Sequence, residues 1–117
     1  MSFKFEKLEV WTLALEYIDQ IYLISGKLPS FEDSNLRSQI NRAATSISLN
    51  IAEGSTSQTN PEQRRFVGLA IRSLVECVAC LHVILRRKYI VAEDFDKIYA
   101  SSEKLFSKLQ AFRRSLT

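Results

Sequence analysis

The chain contains very little that would interrupt a helix. Only three glycines and two prolines occur among its 117 residues, and these two residue types are the ones that most often mark turns and loops. The sequence also lacks alternating polar and apolar runs, which are typical of half-buried strands. These absences predict a few long helices and argue against a fold built from many short strands.

Cysteine and histidine are also scarce, which limits the chemistry that the chain can support. Cys77 and Cys80 have the spacing of a redox or zinc motif, but a redox pair usually opens a helix, and this pair lies in mid-helix. His82, the only histidine, projects away from them and has no expected role. We expect both thiols to be buried like small apolar side chains. Since no recognisable catalytic motif occurs, we expect no enzyme activity, no metal and no cofactor.

No apolar run approaches the roughly 20 residues that a membrane span requires. Glu6 and Glu9 precede the first apolar stretch, which is not typical of a signal peptide. The content of 46% hydrophobic and 25% charged residues is ordinary for a globular protein. We therefore expect one cytoplasmic domain over residues 1–117 that has no contact with a membrane.

Apolar residues recur at helical spacing in four segments. Ser30 and Asn60 are expected to cap the second and third helices, and Gly54 is suited to a left-handed position after the second. Long helices with short connections predict an all-α fold, an up-down-up-down antiparallel four-helix bundle. The predicted helices span residues 6–27, 31–53, 61–88 and 93–115.

The third predicted helix is apolar on nearly all of its sides. Between residues 71 and 85 only four side chains are polar. A helix of this kind is usually buried on more than one side, so we expect the chain to form a homo-oligomer through it. The apolar side chains outside its inner face are Ile71, Val75, Val78 and Val83.

Residues 39–54, with the sequence QINRAATSISLNIAEG, include polar side chains that helix packing alone does not require. Asn50 lies near the apolar stripe, where an unpaired carboxamide would cost about 1–3 kcal/mol. We expect Asn50 to bond across the bundle, and Glu53 to accept hydrogen bonds from the following loop or helix. A polar binding site that includes Arg42 is the alternative. The polar motif that we expect to be structural comprises Gln39, Asn50, Glu53 and Gly54.

The phrase NIAEGS, preceded by QINRAATSI, resembles the signature of the four-helix proteins named after intervening sequences in 23S ribosomal RNA. The chain departs from that pattern at Ala92, where a serine-like cap is expected, and at the two cysteines. Other segments match over most of the chain. They are Phe5, Leu8, Val10 and Trp11, then Leu28-Pro29, Phe66, Ala70, residues 73–76 and Tyr89-Ile90.

The resemblance implies a ring-shaped homopentamer that associates with RNA, because relatives are encoded inside ribosomal-RNA genes. Other relatives resemble accessory subunits of diversity-generating retroelements, which accompany a reverse transcriptase. The resemblance therefore adds a reverse transcriptase to the expected partners, beside RNA, DNA and further copies of the chain itself.

The excess positive charge is concentrated on the third predicted helix. The net charge is +3, and residues 61–88 contain six basic and two acidic side chains. Cations in the last turn also complement the helix dipole, and a charged outer face often serves only solubility. Without interleaved aromatic residues, we expect phosphate contacts rather than base reading. The candidate nucleic-acid contacts are Arg64, Arg65, Arg72, Arg86, Arg87 and Lys88.

The sequence thus leads to two hypotheses about function. The first is a non-catalytic, oligomeric accessory protein that binds the backbone of RNA or DNA. The alternative is an oligomeric scaffold for protein partners without direct contact to nucleic acid. A charge of +3 per chain is modest for a dedicated nucleic-acid binder and favours the alternative.

Overall fold

The computed structural model describes residues 1–117 and contains four long helices and no strands. Its dimensions are 44 × 24 × 24 Å, so the helices lie along one common direction. The all-helical fold predicted from the scarcity of glycine and proline is confirmed. The helices are α1 (Glu9–Ser25), α2 (Ser38–Gly54), α3 (Asn60–Arg86) and α4 (Ala92–Ser115).

The first helix starts later than the predicted range of 6–27. Residues Lys4–Lys7 form a short 3-10 helix, and the extended backbone of Leu8 separates it from α1. The Glu6 carboxylate accepts a hydrogen bond of 2.7 Å from the Phe3 N–H. This local bond stabilises a separate first turn, which helical periodicity alone does not distinguish from a continuous helix.

The approach to α2 is also less regular than the predicted range of 31–53. The chain passes through a 3-10 turn at Ser30–Glu32 and a π-helical turn at Asp33–Arg37. Ser30 makes no capping hydrogen bond, contrary to the prediction. Instead, the Arg37 guanidinium donates to the carbonyl oxygens of Ser25 and Leu28. The first carbonyl belongs to the last residue of α1 and the second to the turn that follows it, so Arg37 holds the start of α2 against the end of α1.

The other two helices begin one residue earlier than predicted, and α3 ends two residues earlier. Thr59, not Asn60, caps α3, because its hydroxyl accepts a 3.3 Å hydrogen bond from the Glu62 N–H. Pro61 occupies the first turn, where its missing N–H is harmless. Val91 precedes α4 and provides no side-chain cap.

Each helix packs against two others around one core. α2 contacts α1 and α3, and α4 contacts α3 and α1, an arrangement consistent with a four-helix bundle. Within the core, the Tyr17 hydroxyl lies 2.7 Å from the Ser102 hydroxyl, which in turn donates to the Ile98 carbonyl. Burial raises the pKa of Tyr17. The hydroxyl is therefore neutral and serves as a buried link between α1 and α4.

Gly54 has a different role from the one predicted. It is the last residue of α2, and no glycine in the structure has a positive φ angle. A Cβ atom at this position would lie 2.7 Å from the Cβ of Phe66 in α3. The missing side chain therefore permits α2 and α3 to approach closely, and the left-handed geometry predicted for Gly54 is wrong.

Replacing Gly54 by alanine should destabilise the fold although alanine favours helices. The intrinsic preference would stabilise by about 1 kcal/mol, but the added methyl group must displace Phe66, and overpacking of this kind costs about 1–3 kcal/mol. Gly26→Ala is the matched control, because a Cβ there lies at least 3.4 Å from its neighbours. Urea unfolding should show a lower midpoint for Gly54→Ala only. A Gly54→Ala protein as stable as Gly26→Ala would contradict the close approach.

Candidate nucleic-acid interface

Three of the six predicted nucleic-acid contacts gather at the start of α3. Arg64, Arg65 and Arg72 line an open cavity of about 830 Å³, together with Arg113 from the last turns of α4. The Arg64 guanidinium donates a 2.7 Å hydrogen bond to the carbonyl oxygen of Arg113. This contact joins the beginning of α3 to the end of α4 and brings four cationic side chains around one space, which we call the arginine cavity.

The arginines of the cavity are not paired with acidic side chains. No acidic side chain lines it, and none of its four arginines forms an ion pair. By contrast, Arg37 lies 2.8 Å from Asp33. The Nε of Arg113 is buried without a hydrogen-bond partner, and Arg65 stacks over the Phe66 ring at 5.5 Å. Uncompensated cations around a concavity create a local potential that attracts anions.

Arg113 is not among the six contacts predicted from the sequence. A cation in the last turn of a helix also complements the helix dipole, so its position in the sequence alone does not identify it as a contact. The predicted antiparallel arrangement could have identified Arg113, because it brings the last turn of the fourth helix next to the first turn of the third. Arg113 is the residue that closes the cavity on the α4 side.

The other three predicted contacts form a second, separate cluster. Arg86, Arg87 and Lys88 are exposed at the opposite end of α3, about 30 Å from Arg65 at 1.5 Å per residue. The six predicted contacts therefore lie in two separate clusters and not in one site. Arg87 also lies near an acid, Glu32, and contributes to lowering its pKa, although the hydrogen bond from the Tyr89 hydroxyl is the larger cause.

Lys88 adopts a conformation that is unfavourable for lysine. Its φ angle of 64° is the only positive value in the chain. The Tyr89 N–H bonds the Ile84 carbonyl at 3.1 Å, and the Lys88 N–H bonds the Leu85 carbonyl at 2.9 Å. This is the Schellman arrangement that usually ends a helix with glycine. Lysine at this position makes the fold less stable than glycine would, and it places a positive charge at the end of α3.

Lys88→Gly should stabilise the protein by about 0.5–1 kcal/mol, because glycine removes the left-handed strain at the end of α3. Chemical denaturation measures the change. Arg87→Gly is the control, since Arg87 has an ordinary right-handed conformation with φ of −77°, and this change should destabilise. A Lys88→Gly protein that is less stable than wild type would show that the lysine side chain itself supports the fold.

Asn50 satisfies its carboxamide within its own helix, which corrects the predicted bond across the bundle. Its Nδ2 donates to the Ser46 carbonyl at 2.9 Å and to the Ser46 hydroxyl at 3.0 Å. The Ser46 hydroxyl accepts a bond of 3.1 Å from Ser73 in α3. The link between α2 and α3 is therefore made by the two serines, and Asn50 orients one of them.

Glu53 and Gln39 do not behave as the predicted polar motif requires. Glu53 is exposed and its carboxylate makes no hydrogen bond; its backbone carbonyl accepts from both the hydroxyl and the N–H of Thr56. Gln39 is exposed and lines a small polar cavity of about 190 Å³ between α2 and α3, beside Arg42 and Glu76. Gln39 and Arg42 do line one cavity, as the alternative of a polar binding site requires. The side-chain hydrogen bond predicted for Glu53 is absent.

Three of the four residues predicted for an oligomer interface are at least partly exposed on the surface of the chain. Ile71 is only 8% exposed and belongs to the core, so its assignment to an outer surface is wrong. Val75 and Val83 are 53% and 46% exposed, and Val78 is half-buried. Val75 and Val78 line an open apolar cavity of about 340 Å³. The aromatic side chains that complete this cavity from α4, Tyr99 and Phe106, were not identified from the sequence.

Neither cysteine is an activated nucleophile. Cys77 and Cys80 are free and buried, as predicted from their position on the core stripe. Burial raises the pKa of both thiols, with the neighbouring charges of Cys80 and Glu76 adding to the effect at Cys77. His82 is exposed, with its ring edge-on to Phe95 at 5.1 Å.

By length and composition alone, α3 could cross a membrane, and it is the one helix in the structure of which this is true. In the structure 44% of this apolar stretch is buried inside the protein. Its contacts with both α2 and α4 account for much of its apolar character, because a helix between two neighbours needs apolar side chains on both sides.

A family model described as 23S rRNA-intervening sequence protein matches residues 6–111. A solved structure from Bacteroides thetaiotaomicron, a protein with unknown function from the S23 ribosomal protein family, is 24% identical. It superposes with a TM-score of 0.80 over 89% of this chain and 97% of that chain. No curated protein matches at a significant level. At that identity the structural likeness shows a shared fold.

Proposed function

Since the chain belongs to the family of 23S rRNA-intervening sequence proteins, as its NIAEGS segment predicted, we propose that it is a non-catalytic, oligomeric protein that binds the backbone of RNA or DNA. The observation that carries this proposal is the arginine cavity. Four guanidinium groups surround it, and neither an acidic side chain in the lining nor an ion pair offsets their charge.

Guanidinium groups are well suited to this task because their planar N–H donors match the oxygens of a phosphate. The lining of the arginine cavity contains no aromatic side chain, so bases have no platform on which to stack. Binding should therefore depend on charge rather than on sequence. An oligomer repeats the +3 charge of each chain and strengthens its attraction for a polyanion.

Substituting Arg65 and Arg72 together by alanine should reduce affinity for structured RNA about tenfold or more, because two charge-assisted contacts to phosphate are lost. Both side chains are exposed, so the fold should tolerate the change. Fluorescence anisotropy at constant salt measures the effect. Arg42→Ala removes one exposed arginine outside the cavity and should leave affinity nearly unchanged. Equal losses in both proteins would contradict binding at the cavity.

We further propose that the four helices alternate in direction as an up-down-up-down antiparallel bundle. Three contacts support this topology. Lys27 at the end of α1 pairs with Asp94 at the start of α4 at 2.9 Å, and Glu9 at the start of α1 lies 3.3 Å from Lys108 near the end of α4. The bond between Arg64 and the carbonyl of Arg113 relates α3 and α4 in the same manner.

Self-association is the next part of the proposal, and two exposed apolar surfaces support it. One lies on α3 and α4, around Val75 and Phe106. The other lies on α1 and α2, where Leu15, Tyr22 and Leu49 are exposed, and the Tyr22 hydroxyl lies 3.5 Å from that of Thr45. Since α1–α2 and α3–α4 form opposite sides of the bundle, contact between these unlike surfaces would be heterologous and could close into a ring. The family resemblance implies five subunits.

Val75→Asp should convert the oligomer to monomers, since a carboxylate buried without a partner strongly disfavours an interface. Val75 is exposed within one chain, so the monomer should still fold. Light scattering coupled to size exclusion measures the mass. Leu23→Asp is the matched control, because Leu23 is an exposed apolar residue beside Lys97 of α4, away from both surfaces. A wild-type protein that is monomeric at micromolar concentration would contradict this part of the proposal.

The alternative function is an oligomeric scaffold for a protein partner, such as the reverse transcriptase that the resemblance implies. The same exposed apolar surfaces favour it, together with the modest charge of +3. Absence of RNA and DNA binding at low salt, with the oligomer intact, would select this alternative. For either function we propose a cytoplasmic location, and the raised pKa values of the thiols support a non-catalytic role.

A further inference from the structure

The arginine cavity is lined mostly by the first half of α3, from Asn60 to Arg72, and the end of α4 closes one of its sides at Arg113. Along α3, the outward surface beyond Arg72 turns apolar at the exposed Val75 and Val83. A polyanion lying along α3 would therefore leave the arginines and meet an apolar surface. The geometry favours a ligand that ends in the cavity over one that passes through it.

Two of the four arginines are held in place before any ligand binds. Arg64 is fixed by its hydrogen bond to the carbonyl of Arg113. A Cβ at Gly68 would lie 3.7 Å from the guanidinium carbon of Arg113, so this guanidinium packs against the backbone of α3. Arg65 and Arg72 are exposed and can adjust to a ligand. Groups positioned in advance lose less conformational entropy on binding.

The amount of charge indicates the kind of phosphate. A phosphodiester inside a strand carries one negative charge, whereas a phosphate monoester carries about −1.5 to −2 at neutral pH and offers three terminal oxygens. Four guanidinium groups with no acidic side chain in the lining between them carry more positive charge than one diester can neutralise. The first turn of α3 also lines the cavity through Asn60 and Pro61, and its dipole adds to the positive potential.

We propose that the arginine cavity binds the terminal phosphate monoester of a nucleic-acid strand. This inference rests on the proposed function and makes it more specific, because it places the phosphate at the end of the strand in the cavity, next to the backbone phosphates that the proposed function already assigns to it. Arg64 and Arg113 form the fixed part of the site, and Arg65 and Arg72 close on the phosphate oxygens. The second cluster, at Arg86 and Arg87, is not part of this site.

The test compares three RNA strands of one sequence, with a phosphate on the 5′ end, on the 3′ end, or on neither. Calorimetry at low salt gives their affinities without a label that would block an end. At least one phosphorylated strand should bind about tenfold tighter than the hydroxyl-ended strand, as expected for added charge-assisted hydrogen bonds. Arg65→Gln combined with Arg72→Gln should abolish this preference. Arg86→Gln combined with Arg87→Gln removes the same charge elsewhere and should preserve it.

Each outcome decides the inference. Equal affinities for all three strands would overturn it and leave the proposed function intact. Loss of the preference in the Arg86 and Arg87 variant as well would overturn the assignment to the cavity. No binding of any strand by the wild-type oligomer would overturn the proposed function and this inference together. Competition by a nucleoside 5′-monophosphate should reduce binding of the phosphorylated strand to the level of the hydroxyl-ended one.

Discussion

The close approach of α2 to α3 at Gly54 is the constraint on which the rest of the structure depends. With no Cβ on Gly54, the Phe66 side chain packs directly against the end of α2. This contact fixes where α3 begins, and the bond between the Ser46 and Ser73 hydroxyls aligns the two helices further along. Since Arg64 lies two residues before Phe66, the same contact determines where the arginine cavity forms.

The central helix α3 combines three roles in one segment. Its inner face belongs to the core, its outward middle exposes Val75 and Val83, and its ends carry the two cationic clusters. This distribution resembles a protein interface, in which an apolar centre is surrounded by a polar rim. Assembly and phosphate binding therefore need not compete for the same surface, because Arg65 and Lys88 lie at opposite ends of the apolar part.

Much of the fold follows from the sequence because it depends on local pattern. The four helices were predicted from periodicity and the scarcity of breakers, and the family from the NIAEGS segment. What could not be predicted depends on pairing between distant residues. Gly54 is required by Phe66, Asn50 bonds to Ser46 instead of across the bundle, and Arg113 joins the cavity through its contact with Arg64. The helix propensity of a residue contains no information about which distant side chains it will contact in the folded chain.

The central claim, that the protein binds the phosphate backbone, is tested most directly by the salt dependence of its affinity for structured RNA and duplex DNA. Between about 50 and 200 mM salt, the logarithm of the binding constant should fall linearly with the logarithm of the salt concentration, because each phosphate contact releases counterions. The slope should become shallower by roughly two when Arg65 and Arg72 are both replaced by alanine. Binding that does not change with salt, or no binding at 50 mM by the intact oligomer, would contradict the account.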